Sequence, residues 1–229
     1  MNVSIYQGNE TLPLVAAEVT VVIDVIRAFT TSEVAFSKGV DKILMVKDTT
    51  KAFDLREGHP ELLLMGEVDA HPIPGFDFDN SPWRLHQSDI DITGKTLVQR
   101  TTNGVKAVVN NFNPRYTFVT GFSNALSTAV FIKEHISASG VNLIASHPSS
   151  DEDMACAEYM KALIEDEGAN ANDFAQRILD SSAAQKFFNG SDIFLSEDIA
   201  LCAEEKVNNL FVMEVNRVDE TLVMTKTEY

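Results

Sequence analysis

The stretch from Gly66 to Pro82, GEVDAHPIPGFDFDNSP, strings Glu67, Asp69, Asp77 and Asp79 through three prolines that forbid a helix. Carboxylates on such a loop, with no cysteine set or paired histidines beside them, suit a hard cation such as Mg²⁺ bound through oxygen. Glu67, at the end of an apolar run, and Asp77, inside GFDFDNSP, are the best-placed metal ligands. Asp69 and Asp79 read as solvated acids, and His71 as an exposed side chain.

Asp24 poses a sharper question, because it sits inside the apolar run VVIDVIRAFTTSE. Burying a lone charge is costly, so Asp24 either pairs with Arg27 or ligates a cation. Thr30 and Thr31 followed by Glu33 resemble a capping box at a helix start, a place where free backbone N–H groups also bind anions. RTTNGVKAV repeats the pattern with Arg100, Thr101, Thr102, Asn103 and Gly104: hydroxyls, a glycine that allows close approach, then a helix, with Arg100 available as a bidentate phosphate partner. The G-x-x-x-x-G-K-[ST] spacing is absent, which argues against a nucleotide loop.

These residues follow strands. Short apolar runs rich in β-branched residues occur at 19–25, 42–46, 61–65, 95–99, 116–120 and 141–145, with a late pair at 210–215 and 221–225. Helical patterns fall between them at 31–38, 50–57, 103–110, 123–137, 151–167, 172–189 and 196–206. Strand and helix in alternation predict one α/β domain over residues 1–229, three layers deep (α/β/α), with a mostly parallel sheet made mixed at one edge by the terminal hairpin. Ligands bind at the carboxyl ends of such strands. Asp24, Glu67, Arg100 to Gly104, Ser146 and His147 all follow strands, so the polar residues converge on one sheet edge.

Composition limits the partners. With 18 basic against 34 acidic residues, the net charge of −16 repels polyanions and argues against nucleic-acid binding. No apolar run approaches a membrane span, and the start of the chain lacks a signal-peptide pattern, which predicts a cytoplasmic protein. Cys156 and Cys202 lie in helical patterns and read as buried free thiols. Apolar residues between Phe174 and Phe188 and in the terminal hairpin suit a homo-oligomer interface and suit core packing equally well.

VVIDVIRAFTT, the pair Gly66-Glu67 followed by GFDFDNSP, and TTNGVKA resemble the signature blocks of the 2-phosphosulfolactate phosphatases, Mg²⁺-dependent acid phosphatases that release sulfolactate on the route to coenzyme M. SSDEDMACAEYM and DIALC are similar to two further blocks, so the likeness runs from Val21 to Val215. The resemblance implies an α/β/α fold, Mg²⁺ as cofactor and a small anionic phosphorylated substrate. Carried over, it places Asp24, Glu67 and Asp77 on the metal. It also implies Arg27, Arg100, Thr102 and Asn103 on the phosphoryl or carboxylate oxygens, with Thr30, Thr31, Asn80, Ser81, Thr101 and Gly104 in the binding blocks and Asp24 as base or nucleophile.

Three positions depart from that pattern. Val68 and Asp69 follow Glu67 where an arginine is usual, Asp79 replaces a glycine, and Ser146-His147-Pro148 replaces a loop rich in glycine and small residues. A missing arginine removes a charge-assisted contact worth ~1.5–3 kcal/mol. His147 could restore it as a cation or act as a general acid, or be an ordinary loop residue. Two other classes therefore stay compatible with the sequence: a binding module that kept the pocket, and a metal-dependent enzyme of another class.

Overall fold

The structure is a computed structural model that describes residues 1–113 and 115–229. In its first part, β1 (Asn2–Gln7), β2 (Val19–Ile23), α1 (Ala28–Ser37), β3 (Lys42–Met45), α2 (Thr49–Gly58), β4 (Leu63–Val68), β5 (His71–Pro72), α3 (Pro82–Gln87), β6 (Thr96–Arg100) and α4 (Gly104–Asn111) follow in order. Then come β7 (Tyr116–Thr120), α5 (Ala125–His135), β8 (Gly140–Ala145), α6 (Asp151–Glu165), α7 (Ala171–Asp180), α8 (Ser182–Gln185), α9 (Ser196–Cys202), β9 (Phe211–Val218) and β10 (Thr221–Glu228).

Among the described residues the strands form one sheet in the order β1-β8-β2-β7-β9-β10-β3-β6-β4-β5. Its two parallel blocks are β1-β8-β2-β7 and β3-β6-β4, and the inner strands β2, β7 and β8 are buried on both faces, which is why their sequences are mostly apolar, whereas the edge strand β1 is largely half-buried. Val22 of β2 packs with α1, α3 and α4 on one face, while Val21 and Ile23 pack with α5, α6 and α7 on the other. α2 covers β3, β4 and β6 on that second face. The α/β/α layering is therefore the one the alternation of patterns predicts.

The terminal hairpin corrects that expectation in its placement. It lies at the centre of the sheet, where β9 pairs antiparallel with β7 and β10 antiparallel with β3. Three successive antiparallel pairings mean that the two parallel blocks run in opposite directions, rather than presenting one common carboxyl edge. Val212, Met213, Val215, Leu222, Val223 and Met224 are buried there, an apolar content suited to a central position. The only antiparallel strand at the sheet's edge among the described residues is the two-residue β5.

Two helix boundaries also differ. α1 begins at Ala28, so Thr30 and Thr31 lie within its first turn and form no capping box; Thr30 Oγ1 donates to Val25 O and Thr31 Oγ1 to Arg27 O. The single helix expected over 172–189 breaks at Ser181, whose extended backbone and side chain cap α8 by accepting from Ala184 N. Cys156 and Cys202 are buried free thiols, as expected. No described helix is long and apolar enough to cross a membrane.

Candidate active site

Residues that follow β2, β4, β6 and β8 line one cavity of about 300 Å³, together with residues from the α8 to α9 region. Asp24 is at its base. Its Oδ1 accepts from Ala28 N at 2.9 Å, and Ser146 Oγ lies 3.3 Å from Oδ2. Gly104, the first residue of α4, approaches so closely that a Cβ there would stand 2.7 Å from Asp24 Oδ2. Two helix starts thus converge on one carboxylate. Burial is the largest influence on Asp24, and with the charges of Glu67 and Glu152 it raises the pKa to about 7 against the opposing N–H groups of Ala28 and Gly104.

Arg27 does not pair with Asp24. Its Nη1 donates to Asp198 Oδ2 at 2.7 Å, Nη2 donates to Ala70 O at 3.3 Å, and the guanidinium lies 5.0 Å from the centre of the Phe187 ring. Of the two alternatives for Asp24, the pairing with its sequence neighbour is thus not made, and Arg27 pairs instead with the first residue of DIALC. Asp198 also accepts from Ser81 Oγ and Trp83 N.

Glu67, at the end of β4, is held by three donors. Thr102 N donates to Oε1, while Thr102 Oγ1 and Ala70 N donate to Oε2 at 2.9 and 2.6 Å. This crossing requires close backbone contact: Gly66 has φ +147°, and a Cβ there would lie 2.0 Å from Arg100 O. Asn103 lines the cavity with its Oδ1 engaged by Asn9 Nδ2 at 2.6 Å, which leaves its amide N–H groups to donate elsewhere. His147 Nδ1 accepts from Ser149 N and Ser150 N at 3.2 and 2.9 Å, so a neutral ring carries its proton on Nε2. Burial, reinforced by the charge of Lys186, pushes its pKa below the ordinary histidine value. The ring is a neutral donor, not the replacement cation that the sequence allowed.

Several residues expected at the ligand instead build the walls. Asp77 Oδ2 accepts from Leu64 N and pairs with Arg56, and it does not line the cavity. Arg100 donates to Glu67 O and Lys47 O, beneath the site. Thr101 Oγ1 caps α4 by accepting from Val105 N, and Ser81 Oγ accepts from Arg84 N at the start of α3. Thr30 and Thr31 spend their hydroxyls on backbone carbonyls. The cavity therefore brings together Asp24, Arg27, Glu67, Asn80, Thr102, Asn103 and His147. Asp69, read as solvated, joins them; Asp79 pairs with Arg84 and is mostly buried. Val68 is 38% exposed and outside the cavity, and the charge of Asp79 is already matched by Arg84, whereas Asp69, the other residue of the first departure, adds a carboxylate to the cavity wall.

Sequence reading missed the apolar rim of Ile26, Phe187 and Phe194, the cation Lys186, and Asp153. Asp153 is buried beneath Asp24, accepting from Val25 N, His147 N and Ser146 Oγ. Burial, with Glu152 and Asp24, raises its pKa well above the usual carboxylate range. Among the described residues, no three His, Cys, Asp or Glu side chains gather as a ready-made metal cage. Asp24 and Glu67 nonetheless line the same cavity as Asn80, whose Oδ1 is buried without a protein partner. Two carboxylates and one amide oxygen fit Mg²⁺, which takes few protein ligands and fills its octahedron with water and phosphate oxygens.

The 2-phosphosulpholactate phosphatase family model matches residues 7–216. The chain belongs to that family. A "Probable 2-phosphosulfolactate phosphatase" of Bacillus subtilis (strain 168) is 45% identical over 225 residues, 96% of both chains. Proteins with the same description from Caldicellulosiruptor saccharolyticus and Thermoplasma acidophilum are 35% and 27% identical, over 61% and 70% of this chain and 59% and 72% of their own lengths. The 2-phosphosulpholactate phosphatases are phosphoric monoester hydrolases, and the cavity has the donors that such chemistry needs.

Proposed function

We propose that the protein is a Mg²⁺-dependent phosphatase that hydrolyses 2-phosphosulfolactate to sulfolactate and phosphate. The observation that carries this reading is the convergence of Asp24, Arg27, Glu67 and the start of α4 on one cavity in a member of this family. Asp24, Glu67 and Asn80 Oδ1 are the donors that would hold Mg²⁺. When bound, the cation supplies charge stabilisation for the transferring phosphoryl group.

The chain's own groups do the rest. Arg27, its carboxylate partner fixing it from behind, offers guanidinium N–H groups to phosphoryl oxygens; Asn103 and the Nε2–H of His147 add neutral donors. Asp24 takes the proton of the attacking water, because a pKa raised to about 7 makes it a stronger base than an ordinary carboxylate while leaving about half of it ionised at neutral pH. Thr102 and Ala70 keep Glu67 oriented, and Phe187 and Phe194 shield the site from bulk water.

The test is phosphate release from 2-phosphosulfolactate, 2-phospholactate, phosphoglycolate and 3-phosphoglycerate, with Mg²⁺ and with EDTA. The reading expects Mg²⁺-dependent release, fastest from 2-phosphosulfolactate, and loss of at least 10²-fold in Asp24→Asn with the fold intact. Release unaffected by EDTA removes the metal from the mechanism. No release from any of the four would sink the phosphatase reading.

A further inference from the structure

We infer that Lys186 is the specificity-determining residue of the site, receiving the second acidic group of a 2-phospho acid while the phosphoryl group lies toward Asp24 and α4. This rests on the proposed phosphatase reading. The cavity holds three carboxylates, Asp24, Glu67 and Asp69, and two cations, Arg27 and Lys186. Arg27 is already matched by Asp198 at 2.7 Å, and His147 is kept neutral. Lys186 is the cavity's one cation whose side chain makes no hydrogen bond or close ion pair with a described residue, the charge of Glu152 acting on it only at longer range, in a chain where acids outnumber bases by 34 to 18.

Its backbone is held firmly even though its ammonium is unpartnered. α8 runs directly into a 3-10 turn over Lys186–Phe188, and the adjacent Phe187 is buried. The Phe187 ring lies against the Arg27 guanidinium on one side and the Phe194 ring, 5.1 Å between centres, on the other. Lys186 is thus mounted one residue from the aromatic ring that touches Arg27, so an anion held by Arg27 presents its remaining charge within the field of a second cation. Lysine fits this task, as a flexible point charge that serves carboxylate and sulfonate alike. A substrate with only a phosphoryl group has nothing to offer it.

The experiment compares the full chain with Lys186→Met and Lys186→Arg. Calorimetric binding without metal and steady-state release with Mg²⁺ are measured for 2-phosphosulfolactate, phosphoglycolate and ethyl phosphate. A charge-assisted contact to the second acidic group predicts binding of 2-phosphosulfolactate weakened about 10- to 100-fold in Lys186→Met, seen as raised KM with kcat within about twofold. Lys186→Arg retains most of the affinity, and ethyl phosphate behaves alike in all three proteins. Equal losses for all ligands, or unchanged 2-phosphosulfolactate binding in Lys186→Met, overturn the assignment while wild-type turnover still upholds the phosphatase reading. A wild-type chain that binds the ligands but releases no phosphate overturns that reading alone, and one that binds none of them overturns both.

Discussion

Arg27 and Asp198, 171 positions apart, meet in a buried ion pair at 2.7 Å, and that one carboxylate also accepts from Ser81 Oγ at 2.6 Å and Trp83 N at 3.1 Å. The start of α3, the α9 carboxylate and the cavity-lining guanidinium are therefore one polar unit. Asp198→Ala leaves Arg27 buried and unpaired, which costs about 3–5 kcal/mol of stability. Asp198→Asn keeps the shape and loses less. Urea unfolding midpoints should rank wild type, Asn, Ala, with both variants losing activity because Arg27 is no longer held. An Asp198→Ala protein as stable as wild type would show that the pair does not hold the fold together.

Gly104 is the second point of leverage. Its φ is unexceptional, so alanine suits the helix start, but the added methyl would fall 2.7 Å from Asp24 Oδ2 and 3.1 Å from the Ala28 methyl. Asp24 must move for it to fit. Gly104→Ala should lower kcat by about 10²-fold, the scale of a displaced catalytic group, while circular dichroism stays that of the wild type. Undiminished turnover would mean that the Asp24 position is not critical.

Asn80 offers a test that separates the proposed Mg²⁺ site from folding. Because its Oδ1 has no protein partner, Asn80→Ala breaks no protein hydrogen bond at that atom and should change thermal stability little without metal. Mg²⁺ affinity by calorimetry should fall about tenfold for one lost oxygen ligand, the order of one tuned metal contact. If instead the apo protein is strongly destabilised with Mg²⁺ affinity intact, Asn80 is structural.

Much of this site was legible because strand ends announce themselves. Apolar runs closed by Asp24, Glu67, Arg100 to Asn103 and His147 locate the carboxyl ends where ligands bind, and seven of the expected residues, Asp24, Arg27, Glu67, Asn80, Thr102, Asn103 and His147, do line one cavity. What failed was the assignment of partners. Asp77 reads as a ligand by type, yet Arg56 lies one helix away and Leu64 N sits within 2.7 Å, contacts decided by packing. Lys186 and Asp198 lie in segments with no strand before them, so no pattern pointed to the cavity. The hairpin's place at the centre was equally hidden, because hydrophobicity marks a strand as buried without naming its neighbours.

The raised pKa of Asp24 makes the proposed Mg²⁺ site testable through proton binding and stability. Burial moves it from 3.8 to about 7, so between those values the folded protein binds more protons than the unfolded chain. Stability must then fall as pH rises through that window and level off above it, by an amount on the order of 4 kcal/mol for a shift of this size. Asp153 and Glu152 are displaced in the same direction, chiefly by burial, and add to the trend. Mg²⁺ needs ionised oxygen ligands, so its stabilisation should grow over the same range. Thermal melts should show a metal-free protein that is less stable at pH 8 than at pH 5.5, and a rise in Tm with Mg²⁺ that is large at pH 8 and small at pH 5.5. Asp24→Asn should flatten part of the first trend and most of the second. A Mg²⁺ effect of equal size at both pH values would show that Asp24 does not face the cation.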